Sequence, residues 1–196
     1  MSRDFLFKYT MRITLKTGIL FAFGWMLVKL SLLGMGVASS TFEFSIMTNM
    51  LFLILAISIG LYLQKRKDTE TGNALRDIKN GMVTGVPYAV LVSIFLFFYY
   101  EKINPEFIEH QISESEIALD KELNDPIKFQ KVKDSNPDFE VMTKEQIREK
   151  IVANTKGVYS AKSTAILGLL AMTVYATINS LLITAIYRKV VFKNKP

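Results

Sequence analysis

Residues 18–37 read GILFAFGWMLVKLSLLGMGV, and the reading of Lys29 inside this apolar run decides the fold. The lysine is a functional charge in a membrane span, a snorkelling side chain, or a sign that the run is no span. The rest of the chain argues for a span. Half of the 196 residues are hydrophobic, and they come in blocks. Residues 17–37, 44–63, 81–100 and 164–187 are each about 20 residues long, the length that crosses a bilayer core as helix. The last three blocks contain no charged residue. They are apolar on every face, with scattered Ser, Thr, Asn and Tyr, unlike the amphipathic helices of a soluble core. The expected fold is all-α, a four-helix transmembrane bundle.

Charge sets an expected orientation. Arg3, Lys8, Arg12 and Lys16 precede the first span. Lys65, Arg66, Lys67, Arg76 and Lys79 lie in the 64–80 loop, and Arg188, Lys189, Lys193 and Lys195 in the tail. The 38–43 connection has only Glu43, and residues 101–163 hold ten basic and thirteen acidic residues. Lys and Arg in short flanks stay cytoplasmic. Both termini and the 64–80 loop are therefore expected inside, and 38–43 and 101–163 outside. This gives residues 1–100 with three spans, an extracytoplasmic segment over 101–163, and residues 164–196 with the last span. A cleaved signal peptide competes for the start, with GVASS as its small residues, but the run is long for an h-region and Lys29 interrupts it.

Local signals fill in the rest. The inner loop turns at TGN, and Leu75, Ile78 and Met82 recur so that 73–80 reads as an amphipathic lead-in lying at the membrane surface. Gly81 and Gly85 form a GxxxG pair that admits a close helix, and Pro87 falls in the first turns of the third span. Tyr99 and Tyr100 suit an aromatic belt at the outer headgroups. In the outer segment, Asn104 and Pro105 make an N-cap and first helical residue, with Ile108, Ile112, Leu119 and Leu123 on one face of a helix over 105–123. Asn136 and Pro137 repeat the device. Thr143 with Gln146 reads as a capping box for a helix over 144–156 that carries Ile147 and Ile151 on one face. Residues between these helices read as a loop or short extended piece. The two helices make a small extracytoplasmic α-helical cap.

In order, these parts resemble a bacterial family of four-helix inner-membrane proteins catalogued as a domain of unknown function. The resemblance rests on a Gly-containing first helix, the basic LQKRKDTETG loop and the paired glycines opening the third helix. INPEF, MTKEQI and a last helix with a basic end complete it. It covers nearly the whole chain. It implies an integral membrane protein and supplies no reaction, substrate or catalytic residue.

Function classes narrow by missing residues. With no cysteine and one histidine, His110, thiol chemistry and HExxH-type sites are excluded. No GxSxG or Walker-type loop appears. Glu106, Glu109, Glu114 and Glu116 near His110 read as a solvated helix face. No catalytic residue, metal ligand or cofactor is expected. The expected contacts are the lipid bilayer, a membrane or envelope protein partner, or a second copy of the chain, with no nucleic acid. The preferred function is a noncatalytic accessory, assembly or sensing subunit of the inner membrane; the alternative is a small transporter or ion path using Lys29.

Lys29 lies about 12 residues, or roughly 18 Å, from Thr17, and about 12 Å from Val37, at the helical rise. It is therefore expected in the outer half of the membrane. Its Cα–Cβ bond tilts toward the helix N-terminus, which works against snorkelling outward. The expected arrangement is an outer-half polar cluster of Lys29, Asn49, Ser93 and Thr173 with Glu43 and Glu101 at the surface. In it Lys29 bonds to Asn49, helped by a carboxylate, Glu43 before Glu101. On the last span Thr173, Tyr175, Thr177, Asn179, Ser180 and Thr184 are expected to hydrogen-bond across the helix interface, with a solute path as the other reading.

Overall fold

A computed structural model describes residues 3–37, 42–67 and 73–191. Thr71 and Gly72 of the TGN turn and most of the 38–43 connection fall outside the described residues. Among the described residues there are seven α-helices and no strand. They are α1 (Arg3–Gly34), α2 (Phe42–Lys67), α3 (Ala74–Phe98), α4 (Pro105–Asn124), α5 (Pro126–Asp134), α6 (Lys144–Val158) and α7 (Ala161–Ile186). Single π-helical turns, Tyr99–Ile103 and Tyr187–Val191, extend α3 and α7. The chain forms two compact units, one of Met1–Phe95 with Ile166–Pro196, the other of Leu96–Ala165.

Four helical stretches, Ile13–Gly34, Phe42–Lys67, Ala74–Ile103 and Ala161–Val191, are long and apolar enough to cross a membrane. The first unit is built the reverse of a soluble core. Its exposed side chains include Leu20, Leu27, Met47, Leu75 and Val174, while Thr14, Gln64, Asp77, Asn80, Thr84 and Ser180 are buried. In water that arrangement would fail, because apolar burial is the main favourable term. In lipid it is the expected one: apolar faces meet acyl chains, and small or polar residues meet other helices. Trp25 anchors α1 to α2 through its indole N–H, which donates to the Ser45 carbonyl at 3.2 Å. Phe21 packs edge-on against Phe52 and Trp25 against Phe95.

This inversion corrects the expected lead-in over 73–80. Residues from Ala74 onward belong to α3 itself, begun by Asn73, whose Oδ1 accepts from the Leu75 N–H at 3.1 Å. The buried face is not the apolar one: Leu75 is 71% exposed, and Asp77, Asn80, Gly81, Thr84 and Gly85 point inward.

The Leu96–Ala165 unit has a conventional core of Leu119, Leu123, Phe139 and Ile147, with Phe129, Val132, Met142, Ile151 and Val152 packed on it. The Thr143–Gln146 capping box is complete, and Asn136 Oδ1 caps a single 3-10 turn at Pro137–Phe139. Asn104 sits at the α4 cap position but makes no side-chain cap bond; its Nδ2 donates to Tyr99 Oη at 3.4 Å, and its backbone N–H closes the preceding π turn on the Tyr99 carbonyl. The expected loop between α4 and α6 contains a helix instead. Asp125 accepts from the Ile127 and Lys128 N–H groups, and Pro126 starts α5, so NDPIK repeats the capped Pro start of SNPDF. Phe129 and Val132 then give α5 something to bury. Tyr99 and Tyr100 do not form an open aromatic belt; both are buried, with the Tyr100 ring 5.4 Å from Phe107.

Candidate functional site

Close helix approach comes first, because it positions the polar groups. A Cβ at Gly81 would lie 2.6 Å from Ser180 Oγ, and one at Gly85 would lie 2.6 Å from Ala176 Cβ. The two glycines of α3 therefore take the two small residues of α7, four positions apart on each helix. Gly18 of α1 faces the Thr84 carbonyl, and a Cβ at Gly60 of α2 would lie 2.9 Å from Thr84 Oγ1. Thr84 is thus the point where α1 and α2 both reach α3. Pro87 lies inside α3 two residues beyond Gly85, and its missing N–H frees the Val83 carbonyl.

Several hydroxyls here satisfy themselves within their own helix. Thr17 donates to the Ile13 carbonyl, Thr84 to Asn80, Thr177 to Thr173 and Ser180 to Ala176; the Asn179 amide likewise donates to Tyr175. This corrects the expected cross-helix network on the last span. A back-bonded hydroxyl needs no partner on the next helix, so it can sit in a tight contact as a small residue.

One turn before Gly81 the interior becomes ionic. Asp77 Oδ2 accepts from Lys65 Nζ at 2.7 Å and from the Arg188 guanidinium at 2.9 Å. The side chains of Lys65 and Asp77 are almost fully buried, whereas Arg188 is 33% exposed. The carboxylate therefore clasps the end of α2 and the π turn after α7 onto the start of α3. Tyr187 reinforces this clasp by donating to the Ser58 carbonyl at 2.9 Å. Two cations on one carboxylate oxygen, held in a helix bundle by residues far apart in sequence, form the most strongly charged buried group among the described residues. Ionisable groups inside membrane bundles are costly and by default mark function.

The expected outer-half cluster is dispersed. Lys29 is buried, at 4% exposure, with Nζ 5.9 Å from the centre of the Phe42 ring. Asn49 does not serve Lys29: its Oδ1 accepts from Tyr88 Oη at 2.6 Å, and its Nδ2 donates to Met172 Sδ at 3.3 Å. Asn49 thereby ties α2 to α3 and α7. Ser93 is buried, Thr173 is half-buried and offers its carbonyl to Thr177, and Glu43 is exposed. Glu101 lies in the π turn of the other unit and is exposed.

In the Leu96–Ala165 unit, Arg148 holds Asp120 through two bonds, at 2.6 and 3.1 Å, and clasps α6 to α4. That hydrogen bond and the guanidinium charge hold the Asp120 carboxyl below its usual range. His110 and Glu114 are an exposed i,i+4 pair at 3.6 Å, so this end of α4 is a solvated face. Among the described residues, no group of His, Asp and Glu side chains has the arrangement of a metal site.

A family profile described as "Protein of unknown function (DUF4199)" matches residues 16–189. The chain belongs to the DUF4199 family. The match runs from Lys16 through all four apolar stretches to Lys189, so the family extends over the Asp77 clasp and the Leu96–Ala165 unit alike. No curated protein and no solved structure matches the chain.

Sequence alone places Lys65 and Asp77 among the charges of the 64–80 loop and Arg188 among those of the tail. One signal for the clasp is present. Asp77, Asn80, Gly81, Thr84, Gly85 and Tyr88 recur at helical spacing, and in a membrane helix such a polar and small stripe marks the packed face.

Proposed function

We propose that this DUF4199 protein is a noncatalytic accessory, assembly or sensing subunit of a bacterial inner membrane. Both termini are cytoplasmic, and the Leu96–Ala165 unit stands outside, where it binds a protein partner or envelope ligand. The observation that carries this reading is that unit itself. It has its own core, yet leaves Ile127 72% and Val141 90% exposed. Val141 and Met142 border an open groove with Gln146, Glu149 and Lys150, an apolar patch with a polar rim. The basic flanks before the first span, between the second and third, and after the fourth support the orientation.

The test is purification in mild detergent, with mass spectrometry of copurifying chains. A stable partner that is lost on deletion of residues 105–156, and that crosslinks to a photoreactive residue at position 141, is the expected result. Purification without any specific chain, with no crosslink from position 141, would sink the reading.

The buried Lys29 favours a second reading, a small ion or solute path through the bundle. It predicts ion or solute flux in liposomes holding the protein alone, lost in Lys29→Met. Equal leak in wild type and variant would dismiss it.

A further inference from the structure

Val141 and Ile127 are more exposed than any other large hydrophobic residue of the Leu96–Ala165 unit among the described residues. They lie at one end of that unit. Lys144 Nζ donates to Asn124 Oδ1 at 2.7 Å, which joins the start of α6 to the end of α4. Ile127 follows Asn124 by three residues, and Val141 precedes Lys144 by three. Val141 and Met142, with Gln146, Glu149 and Lys150, border an open groove of about 620 Å³. That is room for an isoleucine side chain and a lysine stem. Ile127 cannot turn into its own chain, because Phe129 and Val132 hold α5 on the core.

The charges at this end are sorted by sign. Lys128 and Lys131 accompany Ile127 on α5; both are exposed, and neither lies at ion-pair distance from an acid among the described residues. Glu145 and Glu149 stand one turn apart on α6, exposed, and neither has a cation at that distance among the described residues. Like charges at this spacing repel each other. Lys150, the cation of the groove wall, is already held by Asp138 at 2.9 Å. An apolar anchor with two lysines therefore stands on the same patch as an apolar groove with two carboxylates. A patch that carries both halves of a contact is self-complementary, the condition for a twofold pair. We infer that two copies of the chain pair through this end of the Leu96–Ala165 unit. Ile127 of each copy seats in the Val141–Met142 groove of the other, with Lys128 and Lys131 against Glu145 and Glu149. The apolar anchors hold the pair, and the rim charges set its register. This rests on the reading of the unit as a protein-binding module and names the bound protein as a second copy of the chain.

The test is a charge swap in the full chain, purified in mild detergent, with self-association measured by sedimentation equilibrium. Lys128→Glu/Lys131→Glu alone, and Glu145→Lys/Glu149→Lys alone, set like charges against each other on both sides of the twofold. Each should raise the dissociation constant of the pair by roughly 10–100-fold. An equal mixture of the two variants restores opposite charges on both sides and should return the constant to within a few-fold of wild type. Val141→Asp should also weaken the pair. The chain has no cysteine, so Ile127→Cys and Val141→Cys on two differently tagged copies should be joined by a short bismaleimide only when the copies are mixed. A wild-type chain that stays monomeric, or swap variants that do not recover on mixing, would overturn the pair. A photoreactive residue at position 141 separates this from the accessory reading. Crosslinks only to a different protein would overturn the second copy and leave the accessory reading standing; no crosslink at all would overturn both.

Discussion

Asp77→Asn keeps the shape of the side chain and removes its charge. Lys65 Nζ then stands 2.7 Å from a neutral amide, with the lysine side chain only 7% exposed. At an effective dielectric of about 20, a contact at this distance is worth roughly 6 kcal/mol of Coulomb attraction before desolvation is subtracted. Desolvation cancels much of that in the intact protein. It does not cancel fully in the variant, where Lys65 stays buried and loses the Asp77 carboxylate. Removing one partner of a buried pair therefore costs about 3–5 kcal/mol. Arg188 is more exposed and regains water, so Arg188→Gln should cost only about 1 kcal/mol. Lys65→Met should fall between the two, because Asp77 keeps Arg188, and Lys65→Met/Asp77→Asn should cost less than the two single changes together. The assay is unfolding in mixed micelles at rising SDS fraction, followed by the fluorescence of Trp25. That is the single tryptophan in the chain and is buried between helices, so its signal reports the bundle alone. Asp77→Asn within about 0.5 kcal/mol of wild type, or milder than Arg188→Gln, would refute the reasoning.

The packing and the charged Leu96–Ala165 unit make further predictions. Gly85→Leu drives a side chain into Ala176 and should cost about 1–3 kcal/mol in the same unfolding assay, with Gly81→Leu similar. Gly157 in α6 meets nothing within 4 Å of an added Cβ, so Gly157→Ala should stabilise the protein by about 0.5–1 kcal/mol in thermal unfolding. Asp120 has a folded pKa held below its ordinary value, so its contribution is full above the ordinary carboxylate range and is lost as pH falls through the lowered value. The protection factors of amides in α4 and α6, with the intrinsic exchange rate divided out, should therefore fall in acid below about pH 4, and Arg148→Ala should remove much of that pH dependence.

The parts of the fold legible in sequence are those written locally. Twenty-residue apolar blocks announce spans, and Thr143 with Gln146 announces the start of α6 because a capping box is closed within four residues. The start of α5 is written in the same local code, Asp125 before Pro126, and is lost because Ile127, Phe129 and Val132 are too few for a periodic pattern over nine residues. The lead-in over 73–80 fails for another reason. Periodicity finds the apolar face of a helix without saying whether water or lipid lies opposite, and in α3 the apolar face looks outward. The Asp77 clasp is the least legible part, because its carboxylate and the Arg188 guanidinium are 111 positions apart. The Lys29–Asn49 bond fails because depth fixes a level in the membrane but not a rotation about the helix axis. Tyr88, reaching Asn49 from α3, takes the amide first.

Everything proposed for the Leu96–Ala165 unit depends on the side of the membrane that it occupies. The chain has no cysteine, so single cysteines can be placed and labelled against a clean background. Lys128 and Lys189 are both exposed, one in α5 and one after α7. A membrane-impermeant maleimide should label Lys128→Cys in cells with a permeable outer envelope and an intact inner membrane, and label Lys189→Cys only after the inner membrane is broken. The reverse pattern, or both sites labelled from one side, would contradict the account.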